Sequence, residues 1–294
     1  MPSMRCIPPS SAERGFSLIE LLVGSTVMLT ALGLAGAFFV AARNRVQDQL
    51  LHVETFQGLR AATDSMLRDL RLGGACLPIT GDFITLDGVD APDGSDRITT
   101  RTGVVRANET CVRTVTTADI SAQDTSIPVQ AAAGFTDGMR AYIMQANGTW
   151  GEVFTVTSVD SGANVLHKSA SLTCQLGCGN PAYPSGSGVY AVDERQYAVD
   201  TSDPKNPVLT VAVNGAAPAP LVYGIENLQI KYQLNDSCDT QCTVVDLPSS
   251  TQWDLVNQLY ITLVARSRSV GSNGQYYRAT RTAHAKPRNL LPEN

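Results

Sequence analysis

The pattern of apolar and polar positions changes twice along this chain. Residues Phe16 to Ala42, FSLIELLVGSTVMLTALGLAGAFFVAA, make an almost unbroken apolar run in which Glu20 is the single charged side chain. The run is longer than the roughly 20 residues that a bilayer-spanning helix needs. From Arg43 the pattern becomes periodic. Val46, Leu50, Val53, Phe56 or Gln57, Leu59, Ala62, Met66 and Leu70 recur at steps of three and four, which predicts an amphipathic helix with one apolar stripe. Asp48, Glu54, Arg60, Asp64, Arg68 and Asp69 occupy its other faces, and Gly73-Gly74 supply a stop. No proline interrupts the chain between Phe16 and Gly74. One continuous helix from Phe16 to Leu72, about 85 Å long at ~1.5 Å per residue, is therefore expected. A single small domain cannot bury such a helix along its whole length. Its transmembrane half (16–42) must sit in lipid or against sister helices, and its amphipathic half (43–75) can lie on a sheet.

Beyond Cys76 the period falls to two. Strand-like runs cover 97–106, 111–117, 139–145, 152–159, 188–199, 207–213, 226–234, 257–267 and 275–285. Asn147-Gly148, Ser161-Gly162, Asn214-Gly215 and Asn273-Gly274 read as turns among them. One long N-terminal helix followed by many strands predicts an α+β fold, the helix packed on a C-terminal antiparallel β-sheet domain spanning 76–294. The segment at about 127–187, with short strands and glycine-rich ends of its own, reads as a small β-subdomain inserted into that domain.

Charge and chemistry narrow the function. A net charge of −5 over 294 residues is too mild for a dedicated nucleic-acid binder or an acidic tail. The three histidines, His52, His167 and His284, are scattered, and no metalloprotease, serine-hydrolase, Walker or Rossmann pattern occurs. The chain does not read as an enzyme, and neither a cofactor nor a metal is expected. Two charged features remain. Asp87, Asp90, Asp93 and Asp96 stand at three-residue steps; they read as a solvated hairpin loop, with a calcium loop as the alternative, although the spacing misses the EF-hand pattern. Arg266, Arg268, Arg278, Arg281, Lys286 and Arg288 make the end of the chain basic. That strip reads as a solvated face or a patch meeting an acidic neighbour rather than a phosphate-binding surface.

The segment ahead of the apolar run, MPSMRCIPPSSAERG, holds two adjacent prolines and ends in Arg14-Gly15. A secretory signal would have a shorter apolar core with a small-residue cleavage site after it. A carboxylate at mid-bilayer costs about 2.5–3.5 kcal/mol, so Glu20 calls for a partner. A cut after Gly15 would give Phe16 a positive amine one helical turn from Glu20. The alternative is a plain signal anchor with Glu20 snorkelling to the interface.

The stretch GFSLIELLVG, Gly15 to Gly24, resembles the type IV pilin and pseudopilin superfamily. The resemblance implies that residues 1–15 are a leader, that prepilin peptidase cuts between Gly15 and Phe16 on the cytoplasmic side, and that Phe16 is N-methylated. It also implies that Glu20 pairs with the Phe16 amine of a neighbouring subunit and so sets register during assembly. Many major pilins carry a helix-breaking proline in this half of the helix, and this chain has none. GSDRITTR (94–101), YGIENLQIKYQL (223–234), and Trp253 followed by NQLYITLVARS look like PilW-type minor pilins. This second resemblance implies a subunit that primes type IV pilus assembly or sits at the pilus tip. Its implied partners are other minor pilins, the major pilin, prepilin peptidase and a PilY-type tip adhesin; nucleic acid is not expected. Its implied place is the inner membrane, single-pass, with an extracytoplasmic globular domain, and then the pilus. Two alternatives stand beside this: a J-like pseudopilin of type II secretion, and a surface adhesin or hydrolase held by a signal anchor.

Seven cysteines are many for a cytosolic chain. Cys6 lies in the leader, which leaves Cys76, Cys111, Cys174, Cys178, Cys238 and Cys242. Outside the cytoplasm these are expected to pair, most simply as Cys76–Cys111, Cys174–Cys178 and Cys238–Cys242. Zinc held by the two C-x3-C pairs is the competing reading.

Overall fold

The protein is described from a computed structural model, which covers residues 17–78, 85–148, 151–169, 182–235, 242–249 and 252–287. The expected helix is present as α1, Leu18–Arg71, 54 residues long. It ends where Leu72 donates its N–H back to the carbonyl of Arg68 and Gly74 turns into the left-handed region at φ 77. A side chain is strained there, so the glycine that stops the helix also sets the direction of the exit.

Two main sheets and a two-stranded ribbon, Ile120–Ser121 with Ala182–Tyr183, carry the rest, and every strand pairing among the described residues is antiparallel. The smaller is a four-stranded sheet ordered Val244–Val245, Ile225–Leu234, Val256–Val270, Tyr276–Ala285. Its period-two pattern puts Leu228, Ile230, Leu259, Ile261 and Leu263 on one face, where they meet Leu59, Met66 and Leu70 of α1 in the main core. The strand under the helix contributes Ala279, Ala283 and Ala285 to that core. Small side chains there let the helix lie close to the sheet, while their alternating partners Thr280, Thr282 and His284 face outward. The nine runs read as strands from the sequence all contain strands.

The larger, ten-stranded sheet is organised by Gly188–Asp200, which pairs with Arg97–Gly103, Arg140–Met144, Arg113–Val115 and Val208–Val213. This one strand serves two cores. Tyr197 belongs to the core under the helix, while Val189 and Ala191 belong to a second core drawn from residues between Val112 and Ala191. The segment at about 127–187 lies within that second core, and its strand Arg140–Met144 continues the ten-stranded sheet through Gly188–Asp200. Cys76 and Cys111 are bonded to each other, tying the end of the helix to the start of the second core. A Cβ at Gly103 would stand 2.6 Å from that of Cys76, so the strand passes beside the disulfide only because it has glycine there. Cys242 is also disulfide-bonded and offers no thiolate to zinc. Cys174, Cys178 and Cys238 lie outside the described residues.

Three expectations need correction. The stripe on α1 is not a single buried face: Leu59, Ala62, Met66 and Leu70 are buried, whereas Val46, Leu50, Val53 and Phe56 are exposed. Burial by the body is confined to the last third of the helix, from Thr55 to Leu70, although contacts reach back to Asp48, and periodicity cannot report where a packing partner ends. The acidic run is not a solvated loop throughout. Leu86–Val89 is a strand paired with Arg97–Gly103, and Asp96 is buried, accepting the N–H of Ala91 at 3.1 Å and of Ile230 at 2.7 Å. Burial raises the Asp96 carboxyl above its usual range against those two bonds. No cluster of three or more acidic, His or Cys ligands is found among the described residues. Third, Asp69 does not decorate an outer face but is buried at the helix–sheet seam.

The second core holds a buried acid of its own. Glu152 is 1% exposed, and its carboxyl is raised by burial, which Tyr183 and Lys168 only partly offset. A carboxyl whose pKa is higher folded than unfolded takes up a proton on folding. It therefore favours the native state most at acid pH, and that contribution is lost as pH rises through the folded value. Glu152→Gln is expected to remove this component. The difference in urea midpoint between wild type and variant should then shift in favour of wild type from neutral pH towards about pH 4–5. A difference independent of pH would show that Glu152 titrates as it does unfolded.

Candidate functional site: the uncovered helix and the grip on it

The first thirty residues of α1 project with nothing against them. No residue of its apolar window is buried, and this is the one helix among the described residues long and apolar enough to cross a membrane. Three hydroxyls within the run are satisfied locally. The hydroxyls of Ser25, Thr26 and Thr30 donate to the carbonyls of Leu22, Val23 and Val27 at 2.9, 2.8 and 2.8 Å. Such back-bonding is what hydroxyls in hydrocarbon require, because no water is available there. Gly24, Gly33 and Gly36 have nothing within 4 Å of where a Cβ would stand, so they are open notches on the surface.

Glu20 lies in the first turn of α1, exposed, with no ion pair among the described residues. The N-terminal end of a helix dipole favours a carboxylate at that place. Gly15 and Phe16 lie outside the described residues.

The body grips the other half of the helix at three levels. At the far end, Asp69 accepts a short hydrogen bond from the Tyr197 hydroxyl and pairs with Arg195 at 3.1 Å. Burial first, and the Asp69 bond second, push the Tyr197 hydroxyl far above its usual range. Burial works against the Arg195 charge, but Asp69 and Asp193 outweigh it and raise its pKa. Midway, Asp64 meets Arg281 at 3.8 Å. Nearest the apolar run, Asp48 accepts both the N–H and the hydroxyl of Ser272, at 2.8 and 2.5 Å, and His52 stacks on Tyr277 with ring centres 3.5 Å apart. The Ser272 bonds hold the Asp48 carboxyl below its usual range, so it stays ionised across the neutral and mildly acid region.

Between α1, the 200–207 loop and the end of Val256–Val270 lies a cleft of about 940 Å³. Its charges are largely spent internally. Asp200 and Asp203 cap their own turn at the N–H groups of Ser202 and Lys205. Arg266 binds the Pro204 carbonyl at 2.5 Å and Glu226 at 3.3 Å. Arg278 shares Glu226 at 2.7 Å. Of the basic strip, Arg266, Arg278 and Arg281 are thus committed to acids of this chain, and Arg288 lies outside the described residues. Sequence reasoning missed Asp69 as an anchor, and it missed Glu194, which holds Arg101 at 2.7 Å and Arg140 at 3.4 Å across three strands. The available signal was a run of four polar residues, Asp193-Glu194-Arg195-Gln196, in the middle of a long strand.

No family model matches this chain, and no curated protein matches it. Among solved structures it is similar to a type IV-like pilin from Thermus thermophilus, at 13% identity and a TM-score of 0.37, covering 80% of this chain and 96% of that one. The functional reading rests on the chain's own residues.

Proposed function

We propose that this chain is a non-catalytic, membrane-anchored structural subunit of the pilin type, closest to PilW-type minor pilins. The observation that carries the reading is a single helix of 54 residues gripped only in its C-terminal half, its apolar half uncovered and Glu20 in its first turn. Just before it stands the sequence Gly15-Phe16-Ser17. The uncovered half is held in the inner membrane while the body, with its disulfides, lies outside the cytoplasm. Prepilin peptidase cuts between Gly15 and Phe16 and methylates the new amine. The helix then leaves lipid for the helices of other minor pilins and the major pilin, and Glu20 finds the Phe16 amine of a neighbour. In that place the subunit primes assembly or sits at the tip, beside a PilY-type adhesin.

Mass spectrometry of the mature N-terminus tests this. The expected species begins at N-methylated Phe16 and lacks residues 1–15; an intact leader would refute the reading and favour a simple signal anchor. A pseudopilin of type II secretion shares every one of these features, and co-purification with pilus or secretion components separates the two.

A further inference from the structure

The clasp at Asp48 fixes how close the body can come to the membrane. We propose that the tip of the hairpin joining Val256–Val270 to Tyr276–Ala285, residues 270–277, rests in the phospholipid headgroup layer on the outer side of the bilayer. This rests on the membrane-anchor reading above. Descending α1, its contacts with this hairpin run from Asp64 with Arg281, through His52 with Tyr277, to Asp48 with Ser272. The hairpin therefore points along the helix towards the apolar run, and its tip is the last part of the body to touch α1. The first charged side chains after that run, Arg43 and Arg45, put the hydrocarbon edge at Ala42. Asp48 stands six residues further on, about 9 Å along the axis at ~1.5 Å per residue. A headgroup layer is about 5–8 Å deep on each side, so side chains on the tip reach into it.

The composition of the tip fits that place. Val270-Gly-Ser-Asn-Gly-Gln-Tyr-Tyr277 carries no charge, Val270 is 49% exposed, and the residues from 272 to 275 are all exposed. Arg43 and Arg45 precede Asp48 on the helix by five and three residues and Arg268 precedes the tip by two on its strand; all three are exposed and without ion pairs among the described residues. Guanidinium groups so placed match lipid phosphates. Two hydrogen bonds from Ser272 to Asp48 hold the arrangement in register, and a Cβ on Gly271 would crowd the Asp48 carboxylate at 3.0 Å.

The test uses the full chain in vesicles of phosphatidylethanolamine and phosphatidylglycerol. Gln275→Trp adds an indole to the tip without touching the turn, because Gln275 serves the turn through its backbone alone. Its emission, taken as the difference from wild type, is expected to be lost with a headgroup-attached quencher and kept with a quencher near the chain ends. Adding Asp48→Ala should restore the emission in the presence of the headgroup quencher. Co-flotation with vesicles reports the anchor separately. Chain that floats but shows no headgroup quenching overturns the proposal and leaves the anchor intact; chain that does not float overturns the anchor reading itself. Cross-linking of the tip to a second copy in place of quenching also overturns the proposal.

Discussion

A chain carrying Glu20→Ala is expected to insert into the membrane as wild type does, and to be absent from filaments. Insertion should survive because the substitution removes the one charge of the apolar run and so lowers the cost of burial, by at most about 2.5–3.5 kcal/mol. Assembly should fail because an uncovered apolar helix can slide along its neighbours, and one ion pair in a low dielectric is what distinguishes one register from the next. The body is unaffected, since Glu20 is remote from every contact between α1 and the sheets. Fractionation of membranes and sheared filaments measures both outcomes in one experiment. Wild-type amounts of the variant in filaments would remove Glu20 from assembly. Glu20→Asp separates charge from reach, because it keeps the carboxylate and shortens the arm by one methylene.

The second large effect is expected at the opposite end of the helix. Asp69→Ala takes away the acceptor shared by Tyr197 and Arg195. Tyr197 is 1% exposed, so its hydroxyl cannot turn to water for a replacement. Leaving a buried hydroxyl without its acceptor costs about 1–3 kcal/mol. Arg195 is only partly buried and keeps Asp193 at 3.1 Å, so it adds little to that loss. For a domain of this size that is a fall of about 2–12 °C in Tm, read by circular dichroism on the full chain in detergent. A fall within about 2 °C would mean that apolar burial by Leu59, Met66 and Leu70 holds the helix end without help from the polar seam. Asp69→Asn should fall between wild type and alanine, because its amide oxygen still accepts from Tyr197.

These two sites differ in how far the sequence exposed them. Glu20 stands out as a lone acid in an apolar run, a contrast visible without any structure. Asp69 sits in a run, Met66-Leu67-Arg68-Asp69-Leu70, in which charges at neighbouring helical positions look solvated. Its burial depends on Gly188–Asp200 passing beneath the last turn with Arg195 and Tyr197 on the facing side. Asp96 was hidden in the same way. Four aspartates at regular spacing suggested one shared environment, yet only Asp96 reaches the N–H of Ile230, 134 residues away along the chain.

The sequence by itself determined the helix, its apolar and amphipathic halves, the alternation of the strands and the turns between them. All of these are set by a residue and its near neighbours, through period, glycine and the absence of proline. Only the tertiary structure decided which length of α1 the body grips, which acids are buried, and how one strand, Gly188–Asp200, joins two cores. Those depend on which surfaces meet, and a contact between residues more than a hundred positions apart leaves no local pattern. The same holds for Asp48: as a sequence position it is one more charge on a helix, and only the arrival of Ser272 makes it the last hold of the body before the membrane.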